Sequence, residues 1–157
     1  RLKDEDAEVR GSALDLLTKL RETSTVPQIF ELLDDKSGDV RRKAVESLKT
    51  LDDRKSAEFL IRAAQGEEDP EIRIHMLEAA LELQDPKAIP VLIEIMEEGG
   101  LFANDAFEHL RSHVAVEFRI NEVDKVKRWW TENSIRLRWD DQKKMFFQTN
   151  AERIFKL

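Results

Sequence analysis

The chain can be laid over itself three times. Val9-Arg10, Val40-Arg41 and Ile72-Arg73 open three copies of one pattern, 31 and 32 residues apart by their numbers. Behind them run Ala13, Leu17 and Leu20; then Ala44, Leu48 and Leu51; then Met76, Ala80 and Leu83. Those spacings line one face of a helix. A second apolar set follows in each copy: Val26, Ile29, Phe30 and Leu33; Ala57, Leu60, Ile61 and Ala64; Ile89, Leu92, Ile93 and Met96. A period of this length means a stack of short units that bury their apolar faces against one another, rather than a globule around one centre. Such a stack offers an extended surface, so binding is the general role, with no partner named by the pattern itself.

Each copy reads as two antiparallel helices. Asp6 is placed to cap a first helix from about Ala7 to Leu20, and Thr23-Ser24-Thr25 precede a second whose first turn tolerates Pro27. The turn-rich stretch Asp34 to Asp39 opens the next copy, with helices expected over 39–51 and 55–64. Asp69 and Pro70 have the cap and first-position chemistry for a helix over 70–83, followed by one over 86–97 with Pro86 and Pro90 in its first turn. Glu98-Gly99-Gly100 closes that copy.

A fourth copy begins and decays. Phe102, Ala106 and Leu110 take the register of Val40, Ala44 and Leu48, but His113 falls where Leu51 and Leu83 fell. The array is therefore drawn over 1–113, and 114–157 is a Trp-rich closing segment. In it, Asn121 to Ser134 reads as a helix, and Ile135, Leu137 and Trp139 alternate with Arg136 and Arg138 as in a strand. Asp140-Asp141-Gln142 is placed to turn the chain into a return strand over Lys144–Gln148, with a last helical turn over 149–157. A stack exposes the apolar face of its last unit, so the three Trp residues and Met145-Phe146-Phe147 are expected to cover that end.

Composition narrows the function classes. Charged residues make up 38% and aromatics 7%, and no run of about 18 apolar residues is present, so no membrane span is expected. With no Cys there are no disulfides, thiolate metal sites or Cys nucleophiles. The net charge of −7 is uneven: residues 1–119 hold 17 Lys+Arg against 27 Asp+Glu, and residues 120–157 hold 9 against 6. An acidic array disfavours phosphate-backbone binding, which needs clustered cations. The chain opens Arg1-Leu2-Lys3, with Leu2 in the register of Leu33 and Ala64. It reads as a fragment of a longer protein, monomeric as a fragment, and cytoplasmic with the periplasm left open.

The run Asp39-Val40-Arg41, Ala44, Leu48, Leu51, with its counterparts in the other two copies, resembles the HEAT repeat, and more closely the short bacterial subtype also found in phycobilisome lyase subunits. The resemblance covers roughly residues 2–113. It implies an all-α, right-handed solenoid of helical hairpins, here with a short C-terminal cap that includes a small β-hairpin. It also implies that the recurring Arg10, Arg41 and Arg73 pair with acidic groups of a neighbouring repeat, for which Asp4, Asp35 and Glu67 or Glu68 lie in suitable loops. Second helices in this family line the concave face. Gln28, Phe59 and Val91 share one register there, and Glu31, Arg62 and Glu94 lie three residues on. Phe59 and Val91 are too apolar for an indifferent solvated face, which points to a greasy groove rimmed by charge.

Catalytic chemistry finds little support. There is no G-x-S-x-G, no glycine-rich phosphate loop and no H-E-x-x-H. Asp105, His109 and His113 stand at i, i+4 and i+8 as a possible metal stripe, but His113 lies in a core register and His75 has no evident partner. No catalytic residue, cofactor or metal is assigned. The reading is a non-catalytic scaffold or adaptor for a protein partner, one with basic character, bound through Gln28, Glu31, Phe59, Arg62, Val91 and Glu94. The alternatives are a subunit of a lyase-like enzyme acting on a bound chromophore, which the resemblance allows, and a HEAT-type nucleic-acid binder, which the acidic array argues against.

Overall fold

Helix starts follow the capping side chains. Asp6 accepts from the Glu8 amide ahead of α1 (Ala7–Lys19), and Asp69 accepts from the Glu71 and Ile72 amides ahead of α5 (Pro70–Glu82). Between them lie α2 (Val26–Glu31), α3 (Gly38–Leu51) and α4 (Ser56–Gly66); α6 (Ala88–Glu98), α7 (Ala103–His113) and α8 (Val123–Asn133) follow, and β1 (Leu137–Asp140) pairs antiparallel with β2 (Met145–Gln148). The computed structural model describes residues 1–115 and 117–149. The helical turn expected over 149–157 lies outside the described residues beyond Thr149. The fold is all-α with one small hairpin sheet, as the repeat pattern and the closing alternation imply.

Local deviations have local causes. The second helix of the first copy is a single stretch of six residues between two 3₁₀ turns, Thr23–Thr25 and Leu32–Asp34. Glu22 holds the first of these turns by accepting from the Ser24 amide and hydroxyl. Pro86 precedes α6 rather than opening it, and only Pro90 falls in its first turn. Ile135 belongs to a 3₁₀ turn and not to the strand, so it is exposed.

First helices are followed by a left-handed residue in all three copies. Arg21, Asp52 and Gln84 adopt left-handed backbone angles, with φ of 50°, 52° and 71°. In the first copy the Arg21 amide donates to Thr18 O and the Glu22 amide to Leu17 O; Gln84 and Asp85 repeat this with Leu81 O and Ala80 O. Two such bonds define a Schellman ending, which usually places glycine at the left-handed position. Here Arg21 and Gln84 occupy it, and Asp52 takes the left-handed angle with a bond to Lys49 O.

The described residues form two compact units, Arg1–Asp85 and the described residues from Pro86 onward. The division expected at 113/114 follows the repeat pattern, whereas α6 and α7 belong to the same unit as the closing segment. In the first unit α3 lies between α1 and α5, and α4 packs on α5. Leu14, Ile29, Ala44, Val45, Leu48, Leu60, Ile72, Met76 and Leu77 have no measurable exposure and form its core. Leu20 departs from its register: Leu51 and Leu83 are buried, yet Leu20 is 67% exposed. The cause is that the side of α1 turned away from α3 carries no described helix.

Two ladders of polar pairs tie the first helices together. Arg10 Nε and Nη2 donate to the two carboxylate oxygens of Asp35, both at 2.7 Å, and Arg41 Nε and Nη2 donate to those of Glu67 at 2.7 and 2.9 Å. Each carboxylate also accepts a backbone amide from the start of the following helix, Ser37 for Asp35 and Asp69 for Glu67. The acidic partners expected for Arg10 and Arg41 are thus in place. Asp4 serves Arg10 through its carbonyl oxygen, not its carboxylate. Farther out, Asp15 meets Lys43 at 2.6 Å, and one copy on Glu46 meets His75 at 2.5 Å, which supplies the partner that His75 lacked in the sequence.

In the second unit α6 packs against both α7 and α8, and the hairpin sits on the end of α7. Val114 bridges Phe146 in parallel, and the Ala115 amide donates to Phe146 O at 2.9 Å. Phe146 is buried with Trp139 edge-on at 4.9 Å, and Phe118 meets Trp129 edge-on at 5.8 Å. Asn133 donates to Trp129 O and accepts from Gln148, so α8 is fastened to β2. Of the Met145-Phe146-Phe147 run only Phe146 is buried, because strand alternation turns its neighbours to the other side.

Candidate interaction cleft on the second helices

Phe30 on α2 and Phe59 on α4 stack with ring centroids 3.8 Å apart and planes 9° from parallel. Phe59 remains 39% exposed, so the pair presents aromatic surface to solvent. Beside it opens a cleft of about 520 Å³ whose wall includes Leu33, Arg62, Ala63 and Gly66 and whose acidic side includes Asp34, Asp35, Glu67 and Glu68. The size falls within the usual range of ligand-binding clefts.

The charges in this cleft divide into two kinds. Asp35 and Glu67 are taken up by the arginine ladder. Burial alone would raise both carboxyls, but the hydrogen bonds from Arg10 and Arg41, the amide bonds and the guanidinium charges outweigh it and hold them below their ordinary values. Arg41 is correspondingly raised, first by its hydrogen bond to Glu67. Asp34 and Glu68 have no ion pair among the described residues and face the cleft with Arg62. The cleft therefore combines exposed aromatic surface with a net acidic rim.

The sequence-derived positions are distributed unevenly around this site. Phe59 and Arg62 line it. Gln28 and Glu31 line a neighbouring shallow cleft of about 390 Å³ that shares Asp34 and Asp35 with it. Glu31 is paired there with Lys3 at 2.9 Å. Val91 is a correction: it is 4% exposed, since α6 is apolar nearly all round and buries Ala88, Ile89, Val91, Leu92, Ile93, Ile95 and Met96. Glu94 is the exposed residue of that helix interior, and both positions belong to the second unit.

Phe30, Asp34 and Glu68 escaped the sequence reading. The pattern assigns Phe30 to the core because it lies in the register of Ile61, Asp34 to a turn, and Glu68 to the alternative partner of the recurring arginine. The available signal was two Phe residues on successive second helices, close to one period apart. Elsewhere, His113 Nδ1 lies 2.8 Å from His109 O, and no group of three or more His, Cys, Asp or Glu among the described residues is arranged to hold a metal. No described helix is long and apolar enough to cross a membrane.

The repeated helical hairpins agree with a comparison against known families. Residues 1–67 and 35–111 fit the family model for HEAT repeats. The chain belongs to the HEAT-repeat family. A relative is the bilin biosynthesis protein MpeU of Synechococcus sp. (strain WH8020), 36% identical over 83 residues, which is 52% of this chain and 28% of that protein. The match thus spans less than a third of the length of that relative, and it agrees with the bacterial subtype that the repeat residues resemble.

Proposed function

We propose that the chain is a non-catalytic protein-binding scaffold whose cleft at Phe30 and Phe59 takes a basic, partly apolar segment of a partner protein. The observation that carries this is the exposed Phe59 ring at the mouth of a cleft rimmed by Asp34 and Glu68. A lysine or arginine side chain suits both features: its stem lies on the ring, its cation is attracted by the ring face, and its charge is met by the carboxylates. The helices hold the site in place beforehand, so little ordering of the domain opposes binding. The acidic excess of residues 1–119 adds a salt-dependent attraction at longer range.

The experiment is affinity capture with the parent chain and with Phe59→Ala as baits, followed by titration of the captured protein at two salt concentrations. Retention by the parent and loss by the variant, with weaker binding in higher salt, supports the reading. Equal retention by both baits removes the cleft from the function.

A second reading is favoured by the similarity to a bilin biosynthesis protein: handling of a linear tetrapyrrole. The Phe30–Phe59 stack offers a flat apolar surface for such a molecule, whereas Asp34 and Glu68 repel its carboxylates. A titration of bilin followed by absorbance separates the two. A saturable spectral shift abolished by Phe59→Ala selects the chromophore.

A further inference from the structure

The two rungs of the arginine ladder are unequally satisfied. A guanidinium carries five N–H donors. Arg10 makes four bonds: Nε and Nη2 donate to Asp35, and Nη1 donates to both Asp4 O and Glu5 O. Arg41 makes three: Nε and Nη2 donate to Glu67, and Nη1 donates to Asp35 O. Asp35 stands to Arg41 as Asp4 stands to Arg10, six residues ahead in both copies. The next carbonyl, Glu5 in the first copy and Lys36 in the second, is engaged only in the first. The Arg10 side chain is 5% exposed, that of Arg41 is 18% exposed, and Arg41 lines the cleft that Phe59 also lines. One hydrogen on Nη1 and one on Nη2 of Arg41 therefore have no acceptor among the described residues.

We infer that these hydrogens bind a main-chain carbonyl oxygen of the partner segment, so that Arg41 reads the backbone beside the basic side chain. The inference rests on the proposal that the cleft takes a basic, partly apolar segment, and it adds how that segment's backbone is held. The acceptor is a neutral one. A carboxylate here would stand among Asp34, Asp35, Glu67 and Glu68, against which the cleft sets only Arg41 and Arg62. An amide carbonyl escapes that repulsion and still gains from a charged donor. The guanidinium is already fixed by Glu67 and Asp35 O, so little further ordering opposes the bond. Cation and carbonyl are thus held by separate groups: Phe59 with Asp34 and Glu68 for the first, Arg41 for the second. A cation without a backbone satisfies only the first.

Two probes of equal charge separate these parts. N-acetyl-arginine methylamide carries the cation and the carbonyls; butylguanidinium carries the same side chain with no carbonyl. Each is titrated into the full chain and followed by proton–nitrogen NMR, including the side-chain N–H signals of Arg41. The blocked arginine is expected to bind at least about fivefold more tightly than butylguanidinium. It also moves the Arg41 signals, which butylguanidinium leaves in place, and both probes lose affinity in Phe59→Ala. Equal affinity for the two probes, or Arg41 signals unmoved by the blocked arginine, overturns the inference and leaves the cation site standing. Binding of neither probe removes the cation site and the inference together.

Discussion

Replacing Arg41 by methionine tests whether the arginine ladder holds the repeats in register. The change keeps most of the stem and removes the guanidinium, with its two bonds to Glu67 and the bond from Nη1 to Asp35 O at 2.8 Å. Glu67 is left with the Asp69 amide as its remaining bond and with a side chain only 4% exposed. Breaking a fully buried ion pair costs roughly 3–5 kcal/mol. The Arg41 side chain is 18% exposed, so water screens part of the interaction, and a loss of about 2–3 kcal/mol is expected. Urea unfolding followed at 222 nm reads this loss. Fluorescence from the three tryptophans, all in the second unit, reports that unit separately. The pH dependence gives a second handle. Glu67 and Asp35 are held below their ordinary values in the folded chain, so the ladder stabilises fully above the ordinary carboxylate range, near pH 4, and loses its effect as pH falls through the folded values. The gap between Arg41→Met and the parent is therefore widest at neutral pH and narrows on acidification. A variant within about 0.5 kcal/mol of the parent at pH 7, or a gap that widens in acid, refutes the reasoning.

Other positions give sharper local tests. Val40→Asp places an unpaired charge at a position 1% exposed on α3, and it should remove at least about 3 kcal/mol, read as loss of the first unit's helical signal. Arg21→Gly relieves a left-handed residue and should raise stability by roughly 0.5–1 kcal/mol in the same urea assay. Deleting 120–157 removes β2, which bridges Val114 and packs on α7, and α8, which packs on α6, and light scattering should show more association than the parent at equal concentration.

Much of this architecture is legible in the residues because repetition checks itself. Val40, Ala44, Leu48 and Leu51 are buried as their spacing requires, and Asp6 and Asp69 cap the helices they precede. The closing hairpin was visible in the alternation of Leu137 and Trp139 with Arg136 and Arg138 before the Asp140 turn. What the pattern could not show is where the repetition is interrupted by its surroundings. Leu20 and Leu51 are the same letter in the same register, yet only one has a neighbour to cover it. Val91 failed for the converse reason: a helix apolar on every side has no outward face for register to identify. The cleft was half legible, since Phe59 and Arg62 stand in it. The stack with Phe30 depended on where the 3₁₀ turns end the short α2, which periodicity does not encode.

The two rungs of the ladder differ by one residue in span, from Arg10 to Asp35 and from Arg41 to Glu67. Both carboxylates nevertheless stand two residues ahead of the residue that precedes the next helix, Ser37 and Asp69. The acid thus travels with the helix that follows it, and variation in repeat length is taken up upstream, within the second helix and its flanks. Copies of unequal length can then be duplicated, lost or recombined along such a gene without breaking the join, as long as that two-residue offset survives.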